Sequence, residues 1–337
     1  MAPPVNVERA LLQRLVAGPA TGDALARESG HTRAAIWKRI DALRAAGVEI
    51  EARTGRGYAL ARPLELLDAD VILARLPAQQ RAQVAGFEIA WSIDSTNSEL
   101  LRRATPSAGA TVLLAERQTG GRGRRGRDWA SPLAANLYLS IARHYSGGLA
   151  RLGGLGLVAG VAAVEALHAL GIECVGLKWP NDLVVADDSA ARPGQVLRKL
   201  GGVLVEGGGE HAGPVRAVIG FGLNLRMPAT FAAGIDQPWI DLATLSGAAH
   251  VARNEVAAVV LAKLLASLER FDVVGLAPFL DDYRRIDALA GREVVVQAGD
   301  VRHAGTALGV AEDGALRVRI GGVVRDFHAG EVSVRRQ

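Results

Sequence analysis

The amino-acid sequence predicts an α+β protein built in three parts, and three observations carry that prediction. To about Leu60, apolar residues recur at helical spacing until a short basic hairpin. In the middle, strands outnumber helices and often follow one another, which fits an α+β sheet better than a doubly wound one. The tail is strand after strand, divided by glycine-bearing turns.

In the first part, Val7, Leu11, Leu12 and Leu15 mark a helix that Gly18-Pro19 stops. Thr21 caps a second helix with Ala24 and Leu25, and Gly30 ends it. Thr32 caps a third, whose apolar side is Ala35, Ile36, Ile40 and Leu43 and whose other side offers Arg33, Lys38 and Arg44. A hairpin follows, with strands over 48–53 and 58–60. Helix, helix, short glycine turn, helix and basic hairpin form the winged helix-turn-helix pattern. It sets the third helix in a DNA major groove, with Arg33 and Lys38 towards it and Arg53 and Arg56 reaching phosphates from the wing. The same pattern also serves as a packing module with a solvated basic face.

Arg62-Pro63 and the acidic, leucine-rich stretch to Asp70 read as a linker. The middle part, to about Leu289, is expected to hold strands over 87–91, 110–116, 137–141, 173–178, 183–185, 202–206 and 217–223. Its expected helices are 97–103, 152–170, 254–271 and 276–286. Tail strands at 294–297, 301–310, 316–320, 323–327 and 332–335 alternate with turns such as Asp313-Gly314 and Gly321-Gly322, as in a small barrel.

Composition narrows the class. The 337 residues are 49% hydrophobic and 22% charged, which excludes wholesale disorder. The formal charge of +4 is too weak to establish a nucleic-acid partner, so placement of the basic residues must decide. Forty glycines against 4% aromatics point to turns and loops that depend on backbone freedom. The single cysteine, Cys174, reads as apolar in setting; it cannot staple the fold, and points to a reducing compartment. Seven scattered histidines argue against a structural metal. Residues 1–6 lack a signal peptide's character. The longest apolar stretch, 152–164, is too short for a membrane span and reads as a buried helix. A cytoplasmic protein without a membrane partner is expected.

Three segments carry chemistry. Gln118 to Trp129 interleaves Arg122, Arg124, Arg125 and Arg127 with Gly121, Gly123 and Gly126. Glycine lets backbone approach a ligand, and arginine supplies planar donors for phosphate or carboxylate. The loop sits between two apolar strands, which favours ordering by an anionic ligand over a flexible basic loop. Lys178-Trp179-Pro180-Asn181-Asp182 ends an apolar strand and can point one cation into a cleft, with Asn181 and Asp182 holding the turn or coordinating Mg2+. A surface turn is the plainer reading. In the third segment, Ser95 or Thr96 caps a helix at Asn97, and a helix start rich in hydroxyls and amides can also bind a polar ligand head.

These segments, with Arg198–Glu206 (RKLGGVLVE) and 220–224 (GFGLN), occur in an order that resembles the biotin protein ligase family, in its bacterial form that is also the biotin operon repressor. The resemblance extends over nearly the whole chain. It implies a winged helix at 1–63, a catalytic domain at 67–288 related to class II synthetases, and an SH3-like barrel at 289–337. It implies that ATP activates biotin to biotinyl-5′-AMP and that biotin passes to a lysine of a biotin carboxyl carrier protein, with operator DNA as a further partner and a ligand-promoted homodimer. By position it assigns biotin contacts to Ser95, Thr96, Asn97, Gln118, Arg122, Gly123, Arg124 and Lys178. Arg124 and Lys178 are the electrostatic catalysts. Nucleotide contacts fall to Arg127, Trp129, Asn181, Asn224, Trp239 and Arg335, with Mg2+ entering beside ATP near Asn181 and Asp182. A loop over 226–238, without helical or strand periodicity, is expected to fold over adenine. The chain departs from the family at 186–197, where a longer polar connection puts dimer geometry in question. Alternatives are a lipoate-type ligase, a ligase whose winged helix no longer binds DNA, and a biotin-responsive repressor whose site only senses.

Overall fold

The computed structural model describes residues 6–53, 55–146, 148, 152–187, 196–209, 215–247, 251–329 and 332–336, with backbone alone at 209 and 332–336. The chain opens with helices α1 (Val7–Val16), α2 (Gly22–Ser29) and α3 (Arg33–Ala45). Their starts are set by Asn6, Thr21 and Thr32, whose side chains accept from backbone N–H groups of each first turn. Gly30 ends α2 at a φ of 69°. Leu11, Leu12, Leu15, Leu25, Ile36, Ile40 and Leu43 are buried together. The antiparallel wing strands β1 (Ile50–Arg53) and β2 (Gly57–Leu60) close this unit. Gly57, at a φ of 81°, lies so near Ala20 that a Cβ would stand 2.2 Å from its carbonyl oxygen.

The expected linker is not one. Leu67 is 1% exposed, and its N–H donates to Glu116 Oε1 at 2.6 Å. Arg253 donates to the Glu65 carbonyl (2.7 Å), to Glu116 Oε2 (2.8 Å) and to the Asn136 carbonyl (2.9 Å). Asn254 accepts from the Asp68 N–H and donates to the Leu66 carbonyl. Two helices absent from the sequence reading then follow, α4 (Ala69–Arg75), capped by Asp68, and α5 (Ala78–Ala82).

The middle part is a seven-stranded sheet. Its strands are β3 (Val84–Ala90), β4 (Ala110–Ala115), β5 (Leu137–Tyr145), β6 (Val175–Lys178), β7 (Asp182–Ala186), β8 (Leu197–Gly209) and β9 (Val215–Leu223), in the order β3-β4-β5-β9-β8-β7-β6. Only β3 and β4 run parallel. All seven expected strands are present, several longer than expected. Helices α6 (Thr96–Arg102), α7 (Leu155–Ala169), α8 (Ala229–Ala232), α9 (Leu242–Ser246), α10 (Arg253–Val274) and α11 (Leu280–Ile286) complete it. Alternate residues on β5 and β9, among them Leu139, Ile141, Ile219 and Phe221, pack with α7 and α10. Leu100 of α6 covers part of the opposite face against Leu113, Ala142 and Val218. The expected buried helix is thus α7, and no helix among the described residues is long and apolar enough to cross a membrane.

Strands β10 (Glu293–Ala298), β11 (Val301–Val310), β12 (Leu316–Ile320), β13 (Val323–Phe327) and β14 (Val332–Arg336) form an antiparallel sheet in the order β13-β12-β11-β10-β14. It meets the middle part through Trp179, 1% exposed, whose indole N–H donates to the Gly314 carbonyl at 3.0 Å. The first part meets it where the Leu133 N–H donates to the Ala46 carbonyl and Leu133 and Ala134 join the winged-helix core.

Three smaller expectations change. Arg44 does not face outward with Arg33 and Lys38: it donates to the Ile50 carbonyl at 3.0 Å and stacks over Tyr58. Cys174 is exposed, because it precedes β6 rather than lying within it. The 226–238 loop contains a helical turn, α8. In the long connection, Asp187 donates to the Val196 carbonyl at 2.8 Å; residues 188–195, like Thr54 of the wing turn, lie outside the described residues.

Glu116 and Arg253 are both nearly solvent-free. Removing one leaves the other charge buried, which costs about 3–5 kcal/mol. Glu116→Ala is expected to lose that much unfolding free energy in urea denaturation, and a loss under about 1 kcal/mol would show that the pair does not hold this junction.

Candidate functional site

The sheet face opposite α7 and α10 is cleared by glycines. A Cβ on Gly220 would lie 2.4 Å from Asn97 Oδ1, and one on Gly222 would lie 2.7 Å from the Trp129 ring. The start of α6 and the Trp129 indole therefore rest directly on β9. Cross-strand partners share a face. Lys178 partners Asp182, which partners Gly202, which partners Gly222. Lys178 is thus on the face where Trp129 lies.

Ser95 caps α6, accepting from the Ser98 N–H. Gln118 is brought beside this turn because residues 93 and 118 form a parallel bridge, with the Thr119 and Gly120 N–H groups donating to the Ile93 and Asp94 carbonyls. Gln118 Oε1 then accepts from the Thr96 N–H (2.9 Å) and hydroxyl (3.1 Å), and its amide donates to Ser131 Oγ (3.2 Å). Ser140 Oγ lies 2.7 Å from Thr96 Oγ1 and 2.6 Å from Asn97 Oδ1. Asn97 Nδ2 donates to Glu206 at 2.9 Å and to the Leu204 carbonyl at 3.2 Å. Bidentate contact with Arg102 fixes Asp94 at the edge of this network and holds its carboxyl down to about 2.

The arginine loop closes on itself. The Gly123 N–H donates to the Arg127 carbonyl at 2.7 Å, the Trp129 N–H to the Gly121 carbonyl at 2.9 Å, and residues 124–126 make one 3-10 turn with Arg125 at a φ of 58°. Arg122 reaches back to Glu206 (3.1 Å) and Ser98 Oγ (3.0 Å). Arg124 reaches forward, donating to Asn181 Oδ1 at 3.3 Å and to the Ala329 carbonyl of the C-terminal part. Burial lowers the Arg124 pKa from its ordinary value, and nearby Asp182 offsets this. Arg127 is exposed at the loop's base.

Lys199 Nζ pairs with Asp182 at 2.7 Å and sits over the Trp129 ring. Lys199 also shares backbone hydrogen bonds with Pro238 and Ile240, which flank Trp239. Asn224, buried, donates to the Lys199 and Ile240 carbonyls, so it positions the Trp239 segment. A crevice of about 350 Å3, lined by residues such as Arg62, Arg226, Trp239 and Asp241, separates that segment from the wing.

The structure thus brings Ser95, Thr96, Asn97, Gln118, Arg122, Gly123, Arg124, Trp129, Lys178 and Asn181 to one sheet face and its rim. Arg33, Lys38, Arg53 and Arg56 stand apart on the first part, where Arg33 pairs with Asp23 and Arg53 with Glu51. Arg335 lies on β14, and its side chain is outside the described residues. Asn181 accepts from Arg124 and donates to the Val203 carbonyl, while Asp182 Oδ1 is held by Lys199. This donor set, already occupied by cations of the chain, does not fit a Mg2+ site. Sequence reasoning missed Ser131, Ser140, Lys199 and Glu206. Ser140 carries a signal, as a hydroxyl inside the apolar run 137–142; the others gain meaning only across strands.

A profile described as the Biotin/lipoate A/B protein ligase family matches residues 89–224. An HTH domain matches 7–59, and the Biotin protein ligase C terminal domain matches 290–335. The chain is 38% identical over 315 residues to the Bifunctional ligase/repressor BirA of Escherichia coli, covering 94% of this chain and 92% of that one. It is 35% identical to the Biotin--[acetyl-CoA-carboxylase] ligase of Mycobacterium tuberculosis, over 62% of this chain and 85% of that one. Among solved structures, the biotin protein ligase from Aquifex aeolicus in complex with biotin and ATP aligns with a TM-score of 0.61 and 26% identity, covering 75% of this chain and all of that one. With all three parts matched in order and the E. coli likeness spanning nearly its full length, the chain belongs to the biotin protein ligase family.

Proposed function

We propose that this chain joins biotin to ATP, forming biotinyl-5′-AMP and pyrophosphate, and then transfers biotin to a lysine of a biotin carboxyl carrier protein. The observation that carries the reading is the meeting of Arg124 with the Asn181 turn beside Lys178, over a sheet face cleared by glycine. In the first step a biotin carboxylate oxygen bonds to the α-phosphorus and the bond to pyrophosphate breaks. Both reactants are anions. Lys178 and Arg124 offset their repulsion and stabilise the added charge of the transition state. In the second step the carrier's lysine amine attacks the acyl carbon and AMP leaves with the bonding pair.

Thr96, Asn97 and Gln118 present a fixed polar floor for biotin's ureido head, with Ser95 setting the helix start and Ser131 and Ser140 fixing their orientation. Arg122 and Gly123 close the loop over the substrate, which keeps water from the reactive anhydride. The buried Trp129 indole N–H has no partner among the described residues, and its ring makes a wall for the nucleotide. Trp239, held by Asn224, makes a second wall, and Arg127 and Arg335 are assigned as further nucleotide contacts. No step is routed through Mg2+.

The central sheet is of the class II synthetase type and the tail is an SH3-like barrel, with domains at 1–63, 67–288 and 289–337. The first part binds operator DNA through Arg33, Lys38, Arg53 and Arg56, in a homodimer that biotinyl-5′-AMP promotes. The HTH match and the names of the full-length relatives support this second role. The protein acts in the cytoplasm.

Three outcomes are expected. Lys178→Ala should reduce biotin-dependent ATP–pyrophosphate exchange by at least about 100-fold while leaving urea unfolding unchanged; exchange at the wild-type rate would remove Lys178 from the chemistry. Cleavage by trypsin within 120–127 and 226–238 should slow when biotin and ATP are present together, and equal cleavage with and without them would argue against closure of these loops. The chain should retard DNA from its own upstream region more strongly with biotin and ATP, and Lys38→Ala with Arg56→Ala should weaken that shift; retardation indifferent to both substitutions would place DNA contact elsewhere.

A further inference from the structure

The formal charge of +4 is not spread along the chain. Residues 1–63 hold ten of the 39 lysines and arginines but six of the 35 acidic residues, so the whole surplus lies in the first part and the rest is balanced. The same part carries an exposed aromatic. Of the chain's fifteen aromatic residues, Trp37 alone is exposed, at 55%. The other exposed large apolar side chains are valines and one leucine. Tryptophan is enriched at interfaces because it joins a large apolar body to one N–H donor.

Trp37 stands on α3, whose inner side is Ile36, Ile40 and Leu43. The outer side is Ala34, Trp37, Lys38 and Asp41, spaced i, i+3, i+4 and i+7, and all four are exposed. Ala34, one turn before Trp37, is too short to screen the ring. Helical side chains lean towards the N-terminus, which carries the indole towards the first turns of α3. That is the end whose side chains meet base edges when a helix-turn-helix enters the major groove. Arg33 and Lys38 lie to either side in sequence, and Arg53 and Arg56 are exposed on the wing. An apolar ring among cations fits a polyanion that also offers an apolar feature. Among base edges in the major groove, thymine offers one, its C5-methyl group, beside the acceptor O4.

We propose that Trp37 is the base-reading residue of α3, its ring packed on the C5-methyl group of a thymine in the major groove while the surrounding cations hold phosphates. The cations give affinity without regard to sequence, and the ring gives the choice of base. A second copy of this chain is the competing occupant, and Arg33 and Lys38 oppose it, because across a two-fold contact they would meet their own images. The proposal rests on the operator reading above, and the two can be separated by experiment.

The full chain is bound, with biotin and ATP present, to a duplex of its own upstream region in which each thymine in turn is replaced by deoxyuridine, which removes only the methyl group. For the wild type, at least one replacement in each half-site should weaken binding about fourfold, the worth of one buried methyl group. Trp37→Ala should bind the unmodified duplex at least about tenfold more weakly, and the same replacements should then cost less than about 1.5-fold. The slope of log K against log salt should be unchanged in Trp37→Ala and should fall by about one in Lys38→Ala, which loses a phosphate contact. The exposed ring makes unfolding in urea the same for Trp37→Ala as for wild type. If Trp37→Ala binds too weakly to scan, the scan moves to about 50 mM salt, where phosphate contacts strengthen all binding. Thymine sensitivity unchanged in Trp37→Ala overturns the proposal. So does a Trp37→Ala chain whose self-association, by sedimentation, differs from wild type before DNA is added, since the ring then serves a second copy. No binding by the wild-type chain would overturn the operator reading and this proposal with it, whereas wild-type binding indifferent to every replacement overturns this proposal alone.

Discussion

The buried pair of Glu116 and Arg253 is the constraint on which the rest of the structure depends. Taking two ions out of water is costly, and their attraction repays it only with good geometry and further hydrogen bonds; Arg253 Nε is buried without a partner among the described residues, but the other groups of the pair are engaged. Here both Glu116 oxygens are engaged, one by Arg253 and one by the Leu67 N–H. The Arg253 donors in turn hold the carbonyls of Glu65 and Asn136. One pair therefore ties together the entry to the middle part, the end of β4, the start of β5 and the first turn of α10. The arginine loop leaves the sheet at Arg117 and returns by Asn136. Both ends of that glycine-rich segment are thus clamped by a single buried contact, so the freedom of its glycines is confined to its tip.

Charge balance within the site follows the same logic at lower cost. Arg124, Lys178 and Lys199 lie around the Asn181–Asp182 turn at one end of the sheet, and Arg122 lies farther along β8 beside Glu206. Glu206 and Asp182 interleave them, and each carboxylate contacts a different structural element. Glu206 joins the loop to the start of α6 through Arg122 and Asn97. Asp182 joins β7 to β8 through Lys199 and raises the Arg124 pKa against the effect of burial. The guanidinium and ammonium groups are thereby held in place without an anionic substrate, which lowers the ordering cost when one binds. Glycines 220 and 222 serve the same end from below, because only a missing side chain lets Asn97 and Trp129 lie against the strand.

The first and middle parts of the chain also converge on one short segment. Residues 132–135 follow directly from the loop that bears Trp129. Pro132 lies where a Cβ on Gly47 would stand 2.7 Å away, and Phe231 of α8 is 3.1 Å from the same point. Gly47, at a φ of 107°, thus lets the winged helix touch both segments that flank the site. At the far rim, Arg124 and Trp179 make the corresponding contacts to the C-terminal sheet. The catalytic face is bordered by both outer parts, so neither is an appendage in the packing sense.

What the sequence made legible was whatever is decided within a few residues. The caps at Thr21 and Thr32, the stop at Gly30, the seven central strands and the five tail strands all follow from local period and turn chemistry, and the structure contains each of them. The same locality explains the errors. The stretch 62–70 looks like a linker because its partners, Glu116, Arg253 and Asn254, lie 49 to 189 positions away. Helix α4 has only Ile72 fully buried, and α5 has no buried residue, so their apolar stripes are too thin to register. Arg44 was placed by helical spacing alone, but a long side chain can turn to any acceptor within reach, and the Ile50 carbonyl of the following strand is one. Within the site, Thr96, Asn97 and Gln118 announce themselves as clustered polar residues. Glu206 does not, because it sits in a strand whose face is chosen by register. Register depends on which strands become neighbours, and β8 and β9 meet β5 only in the folded sheet. A reading by local pattern can therefore name the ligand-facing loops, while the residues that hold those loops in place become visible only once the sheet is assembled.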